Sequence, residues 1–246
     1  MILERSARDG QTGARVIAVL VLDRIANFDD FDPLRSEPDV DLRFVRSGDA
    51  IPRDAALVII PGSKSTIGDL QKLRENGWER DLRAHVARGG HVLGICGGYQ
   101  MLGRSVTDPQ GLEGNIRAID GLGLLDVVTE MAPEKVVRNR QAVSALYGTP
   151  LYGYEIHLGV TSGPDIARPF CDIDGRPDGA VSDNGRIMGT YLHGLFSSDG
   201  FRARFLAELG LSGGGSSYRE SVERALDDIA LKLESCGLGQ VLKRAR

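Results

Sequence analysis

The stretch His91-Val92-Leu93-Gly94-Ile95-Cys96-Gly97-Gly98-Tyr99-Gln100-Met101-Leu102-Gly103 constrains the fold more than any other. A short apolar run feeds a cysteine bracketed by glycines, and a helix-compatible segment follows. The pattern predicts a strand, a sharp turn and a helix start with Cys96 at the apex. It has the Gly-x-nucleophile-x-Gly form of a nucleophile elbow, with cysteine in place of serine. Gly94 and Gly98 remove Cβ atoms where the chain doubles back. A thiol at that bend sits at a helix N-terminus, where unpaired N–H groups and the helix dipole favour the thiolate. The backbone N–H of Gly97 can point at an oxyanion there. A buried packing cysteine is the bland alternative, and it needs neither the flanking glycines nor the strand ahead of them.

The remaining strands follow from apolar patterning. Residues 15–22 form a near-continuous aliphatic run, as expected of a strand buried on both faces of a parallel sheet. Residues 25–38 mix polar and aromatic side chains and allow a short helix before Pro38. Val40, Leu42 and Phe44 alternate with polar residues, predicting a more exposed strand. A third strand covers 56–60 and ends at Pro61-Gly62. Thr66 and Asp69 resemble a capping box that opens a helix reaching about Glu75. A second helix buries Trp78, Leu82 and Val86 and stops at Gly89-Gly90. The order β, α, β, β, α, β, α predicts an α/β fold: a doubly wound, mostly parallel sheet with helices on both faces, flavodoxin-like. In such folds the active site lies beyond the carboxyl ends of the strands, where Pro61-Gly62 and Cys96 both fall.

The second half reads as antiparallel additions. Strands are expected at 124–131, 135–145, 151–161, 179–182 and 186–192, with Asp183-Asn184-Gly185 as a hairpin turn. A helix is expected at 198–209, with Phe201, Phe205 and Leu209 on one face. Gly213-Gly214-Gly215-Ser216-Ser217 reads as a flexible joint. An amphipathic helix then carries Val222, Leu226, Ile229 and Leu233. The expected organisation is a tail or linker at 1–14, one domain at 15–210, and a joint with an appended helix at 211–246.

Composition excludes several classes. A length of 246 residues suits one large α/β domain or two small ones, and the 41% apolar and 26% charged fractions are ordinary for a globular protein. A net charge of -4 gives no electrostatic footprint for nucleic acid. Three cysteines at irregular spacing make neither a disulfide framework nor a zinc site, so no metal is expected. Cys171 and Cys236 carry no motif. The longest apolar run, 16–22, is too short to cross a bilayer, and the N-terminus lacks a signal-peptide layout. A reduced, cytoplasmic protein without a membrane partner is expected.

A cysteine nucleophile needs a base, and four histidines are available. His85 is expected to face solvent, and His91 opens the elbow strand at the end away from Cys96. His193, in Gly189-Thr190-Tyr191-Leu192-His193-Gly194-Leu195-Phe196, falls at the end of an expected strand, where an α/β hydrolase-like design places its base. His157, in Gly153-Tyr154-Glu155-Ile156-His157, reads better as a structural or substrate-contact residue than as a catalytic one.

The segment Gly94-Ile95-Cys96-Gly97-Gly98-Tyr99-Gln100 resembles the nucleophile motif of class I (triad-type) glutamine amidotransferases. Four further blocks resemble the glutaminase domain of cobyric acid synthases, in that family's order: Ile25-Ala26-Asn27-Phe28-Asp29-Asp30-Phe31-Asp32-Pro33-Leu34, Pro61-Gly62-Ser63-Lys64-Ser65-Thr66, and the two histidine segments. The resemblance implies that Cys96 attacks the side-chain amide of L-glutamine, with His193 as its base. It also implies that Gly62 and Gly97 supply an oxyanion hole and that Gln100 helps hold the substrate. Ammonia would then pass to a synthetase domain or subunit, which uses ATP and Mg2+ to amidate a corrinoid, adenosylcobyrinic acid a,c-diamide, to cobyric acid. No cofactor is expected in this chain itself. Gly62-Ser63-Lys64-Ser65-Thr66 lacks the preceding glycine loop of a phosphate-binding motif. The chain is accordingly expected to be a fragment of a longer protein or one of two subunits.

Most class I members carry a glutamate two residues after the histidine, whereas this sequence has Leu195. The cobyric acid and cobyrinic acid diamide synthase branch also lacks that glutamate, so the residue orienting His193 stays open, with Glu155 a candidate. Two rivals remain: a free-standing amidotransferase subunit for another acceptor such as lipid II glutamate, and a docking or regulatory module without turnover.

Overall fold

The computed structural model of the chain describes residues 14–134, 136–212 and 217–236. The expected tail and most of the glycine-rich joint therefore lie outside the described residues. The first apolar run is strand β1 (Arg15–Leu20). Ile17 and Val19 join one buried cluster, while Val16, Ala18 and Leu20 join another. Burial on both faces is why the run is continuous rather than alternating.

A 3-10 turn (Phe28–Phe31) and the short α1 (Asp32–Arg35) follow, then β2 (Val40–Val45), β3 (Ala55–Ile60), α2 (Thr66–Glu75), α3 (Trp78–Ala87), β4 (His91–Ile95) and α4 (Gly97–Leu102). The second half adds β5 (Ser105–Thr107), β6 (Ala118–Asp120), β7 (Val128–Glu130), β8 (Val136–Ser144), β9 (Pro150–His157) and β10 (Val160–Ser162). After these come β11 (Cys171–Ile173), β12 (Arg176–Asp178), β13 (Ala180–Val181), β14 (Ile187–Thr190), β15 (Leu192–His193), α5 (Asp199–Glu208) and α6 (Tyr218–Ser235).

The main sheet has the order β13-β14-β4-β3-β1-β2. Its strands run parallel except β13, which pairs antiparallel with β14 through the expected Asp183-Asn184-Gly185 turn. A four-stranded sheet (β10-β7-β5-β6) and a five-stranded one (β12-β11-β8-β9-β15) hold the additions of the second half. The α/β architecture is the one the pattern predicted. No helix among the described residues is long and apolar enough to cross a membrane.

Several local expectations are corrected. Residues 151–161 form two strands, because Gly159 turns to φ 97 after His157. Residues 186–192 divide at Tyr191: β14 stays in the main sheet and β15 pairs with β9 in another. The buried Asp178 carboxylate stabilises that break, accepting the Thr190 hydroxyl at 2.5 Å and the Tyr191 N–H at 3.1 Å. Only Val128–Glu130 of the expected 124–131 strand is extended and paired.

The Thr66/Asp69 capping box does not form. The N–H groups of Thr66 and Ile67 are taken at 3.0 and 2.8 Å by the carboxylate of Glu113, from a distant loop. Asp69 turns instead to the Arg24 N–H and the Ser63 hydroxyl. His85 is buried rather than solvent-facing, its Nε2 bonded to the His91 carbonyl at 2.9 Å. The expected C-terminal helix is α6, whose first N–H donates to the Asp199 carboxylate at 3.1 Å. Its apolar residues Val222, Leu226, Ile229 and Leu233 are exposed.

Candidate active site

Cys96 stands where β4 meets α4, with φ 53 and ψ -111. An L-residue at such angles costs about 1–3 kcal/mol and persists only where its surroundings fix it. Here its N–H donates to the Thr190 carbonyl at 2.8 Å and its own carbonyl accepts the Gln100 N–H at 3.1 Å. The neighbouring glycines are sterically required. A Cβ on Gly98 would lie 1.9 Å from the Ile60 carbonyl oxygen, and one on Gly94 would lie 2.6 Å from the Gly98 oxygen. The thiol itself donates to the Ile156 carbonyl at 3.3 Å.

The structure brings His193 to this bend. A Cβ built on Gly62 would stand 2.9 Å from His193 Cε1, 3.6 Å from its Nε2 and 3.7 Å from Cys96 Cβ. A side chain on Gly62 would crowd both the ring and the cysteine, so only a residue without one fits. The imidazole is fully buried. The Tyr154 ring flanks it, with centroids 5.2 Å apart and planes 12° from parallel. Asn27 Nδ2 lies 3.2 and 3.3 Å from the two ring nitrogens. His193 Nδ1 is 2.7 Å from Asp30 Oδ2, while Asp30 Oδ1 accepts the Gly194 N–H, also at 2.7 Å. Burial works against a charged ring, but the hydrogen bonds and charges of Asp30 and Cys96 outweigh it and push the His193 pKa up to about 10.

Asp30 reaches the ring because the segment after β1 is pinned to the turn after β3. Ala26 N–H bonds to the Gly62 carbonyl and Lys64 N–H to that of Arg24, each at 2.9 Å, while Ile25 and Ser63 form an isolated antiparallel bridge. Asn27 then turns through φ 56, and the 3-10 turn buries Phe31 in the core and Asp30 against His193. In the sequence Asp30 is one of several acids amid aromatics. Its neighbour Phe31 is the one local hint that this turn has a buried side.

The other expected site residues surround the bend. Among the described residues no acceptor takes the N–H of Gly62 or of Gly97, and a Cβ on Gly97 would touch Ser63 at 3.0 Å. Two turns therefore converge with donors free. Gln100 is buried, its Oε1 accepting the Thr66 hydroxyl at 2.8 Å and its Nε2 donating to the Leu158 carbonyl at 2.8 Å and to Tyr191 Oη at 3.2 Å. One lone pair on Oε1 stays available. His157 stacks on the Tyr191 ring with centroids 3.8 Å apart. Burial lowers its pKa despite the nearby Glu155.

Glu155 is not the partner of His193. The strand register places Tyr154 opposite His193, and the Glu155 carboxylate pairs with Arg140, with Arg176 at 3.6 Å. Leu195 is fully buried in the apolar core. A buried thiol, an imidazole tied to a carboxylate and two free N–H groups at adjoining turns together suit acyl transfer at an amide or ester carbonyl.

Comparison with known proteins gives the family. The chain is 67% identical over 235 residues to a cobyric acid synthase of Rhizobium rhizogenes, which covers 96% of this chain and 48% of that protein. A cobyric acid synthase of Brucella canis is 63% identical over the same shares. The chain spans about half the length of the curated relatives it matches. In fold it is similar to a solved glutamine amidotransferase, with a TM-score of 0.58 over 78% of this chain and 97% of that one at 18% identity. The model of the CobB/CobQ-like glutamine amidotransferase domain matches residues 16–201. The chain belongs to the CobB/CobQ-like glutamine amidotransferase domain family.

Proposed function

We propose that this chain is the glutamine-hydrolysing part of a two-part enzyme that forms amides on a corrinoid. The observation that carries the reading is the approach of Cys96 and His193 across Gly62. The Cys96 thiolate attacks the side-chain amide carbon of L-glutamine, and the N–H groups of Gly62 and Gly97 receive the charge that develops on oxygen. The His193 imidazolium gives its proton to the departing nitrogen, which leaves as ammonia and yields a γ-glutamyl thioester. His193 then takes a proton from water as it attacks the thioester, releasing glutamate and restoring the thiolate–imidazolium pair. Gln100 and His157 help hold the substrate.

Ammonia passes to a synthetase part, where ATP and Mg2+ activate carboxylates of adenosylcobyrinic acid a,c-diamide on the way to cobyric acid. The name and double length of the relatives support that assignment over lipid II glutamate as acceptor. The reaction belongs in the cytoplasm. Glutamate release by the purified chain tests the reading. Slow turnover that rises when a synthetase part is added, and that is lost in Cys96→Ala and in His193→Ala, is expected. Equal rates in wild type and Cys96→Ala would contradict it.

A further inference from the structure

We propose that Asp30, from the 3-10 turn between β1 and β2, is the positioning carboxylate of His193, supplying from the opposite end of the domain what Leu195 cannot. The inference rests on the glutamine-hydrolysing reading and identifies the third member of its catalytic group.

The contacts are specific on both oxygens. Oδ2 binds the ring at Nδ1 and Oδ1 binds the backbone one residue later, each at 2.7 Å. Such a clamp fixes the ring and the strand end that carries it. The Asp30 side chain is 1% exposed and that of His193 fully buried, so water does not compete for either. With Nδ1–H given to Asp30, Nε2 is the nitrogen left on the side of Gly62 and Cys96. A carboxylate at Nδ1 both selects that arrangement and stabilises the imidazolium that forms when the thiol loses its proton.

Leu195, two residues past His193, lies wholly in the apolar core and has no group to accept a proton. Of the other acids near this strand, Glu155 is held by Arg140, and Asp178 is taken up by the Thr190 hydroxyl and the Tyr191 N–H. Gly194 completes the geometry: its φ of 75 turns its N–H onto Asp30 Oδ1. The Ala26–Gly62 and Arg24–Lys64 backbone bonds brace the turn bearing Asp30 against the turn bearing the oxyanion donor. One rigid unit thus orients base and oxyanion site together.

Asp30→Asn tests this with two readouts, each alongside wild type. One is steady-state glutaminase kinetics; the other is the pH dependence of Cys96 alkylation by iodoacetamide. Loss of the charge is expected to lower kcat about 10²–10⁴-fold, with KM within about threefold. The acid limb of alkylation should move to higher pH by about one unit or more, because the thiolate loses a stabilised imidazolium partner. A merely structural Asp30 would lower the alkylation amplitude without moving that limb, and this overturns the proposal, as does a kcat within threefold of wild type.

Asp30→Glu keeps the charge, so its limb should stay within about half a unit of wild type even with reduced kcat. Should the asparagine variant unfold, the glutamate variant carries the test, and a limb displaced as far as expected for asparagine overturns the proposal. If wild type itself releases no glutamate, the glutamine reading fails. The alkylation limb then still decides whether Asp30 governs the Cys96–His193 pair.

Discussion

Gly62 sits against the edge of His193 so closely that the first carbon of any side chain would stand 2.9 Å from the ring Cε1. The same carbon would lie 3.7 Å from Cys96 Cβ, so any side chain here would crowd both the imidazole and the cysteine. Gly62→Ala should therefore push the ring off Asp30 or away from the sulfur. A glutaminase kcat lowered by at least about 100-fold is expected, since a displacement near 1 Å costs that much in positioned catalysis. Thermal unfolding should shift little, because the clash is with one ring rather than with backbone. An alanine variant with wild-type kcat would contradict that crowding.

The bend at Cys96 stores strain that glycine would relieve. Cys96→Gly and Cys96→Ala should both be inactive, yet the glycine variant should be the more stable by about 1 kcal/mol, because φ 53 with ψ -111 penalises any Cβ. Urea unfolding of the two variants side by side measures the difference. An alanine variant as stable as the glycine one would mean the bend is relaxed.

Gly98→Ala should act on folding rather than on chemistry. Its methyl would meet the Ile60 carbonyl oxygen at 1.9 Å, and neither the end of β3 nor the start of α4 can move away from a buried backbone contact. A loss of about 4 kcal/mol or more, read as insoluble expression or non-cooperative melting, is expected.

Behind the active site, Arg202 of α5 binds the Glu37 carboxylate at 2.6 Å and the Phe196 carbonyl at 2.7 Å, with both charged side chains almost wholly buried. Phe196 lies in the turn just after His193. Arg202→Met leaves Glu37 as an uncompensated buried charge and should cost about 3–5 kcal/mol in denaturant unfolding.

The histidines predict opposite pH trends. Burial lowers the His85 pKa from 6.5, outweighing its bond to the His91 carbonyl. Its stability contribution is therefore present above pH 6.5 and lost as pH falls below that value. His193 is raised from 6.5 to about 10 against the pull of burial, so its contribution is present below pH 6.5 and lost as pH climbs toward 10. Unfolding free energies across pH 5–10 should show His85→Gln flattening the acid side and Asp30→Asn flattening the alkaline side.

What could be read from the residues follows a physical divide. Continuous aliphatic runs located β1 and β3, and the glycine-bracketed cysteine located the bend, because those signals are local. Cys96 and His193 were both legible as candidate site residues for the same reason, each standing at the end of an expected strand. The three-residue strands β5, β6, β11 and β12 were not legible, since so few residues carry no periodicity. Asp30 and His193, 163 residues apart in sequence, meet only through the folded topology. Glu113 at the start of α2 belongs to the same class: a local capping pattern at Thr66 and Asp69 competed with a distant carboxylate, and the distant one prevailed.

Covalent labelling tests the central claim most directly. The chain has three free cysteines, of which Cys96 and Cys171 are buried and Cys236 is exposed. A chloroketone analogue of glutamine, followed by peptide mass spectrometry, should modify Cys96 first and stoichiometrically, with excess glutamine slowing the reaction. Modification confined to exposed Cys236, or labelling of Cys96 that glutamine does not slow, would contradict a glutamine-directed nucleophile at this bend.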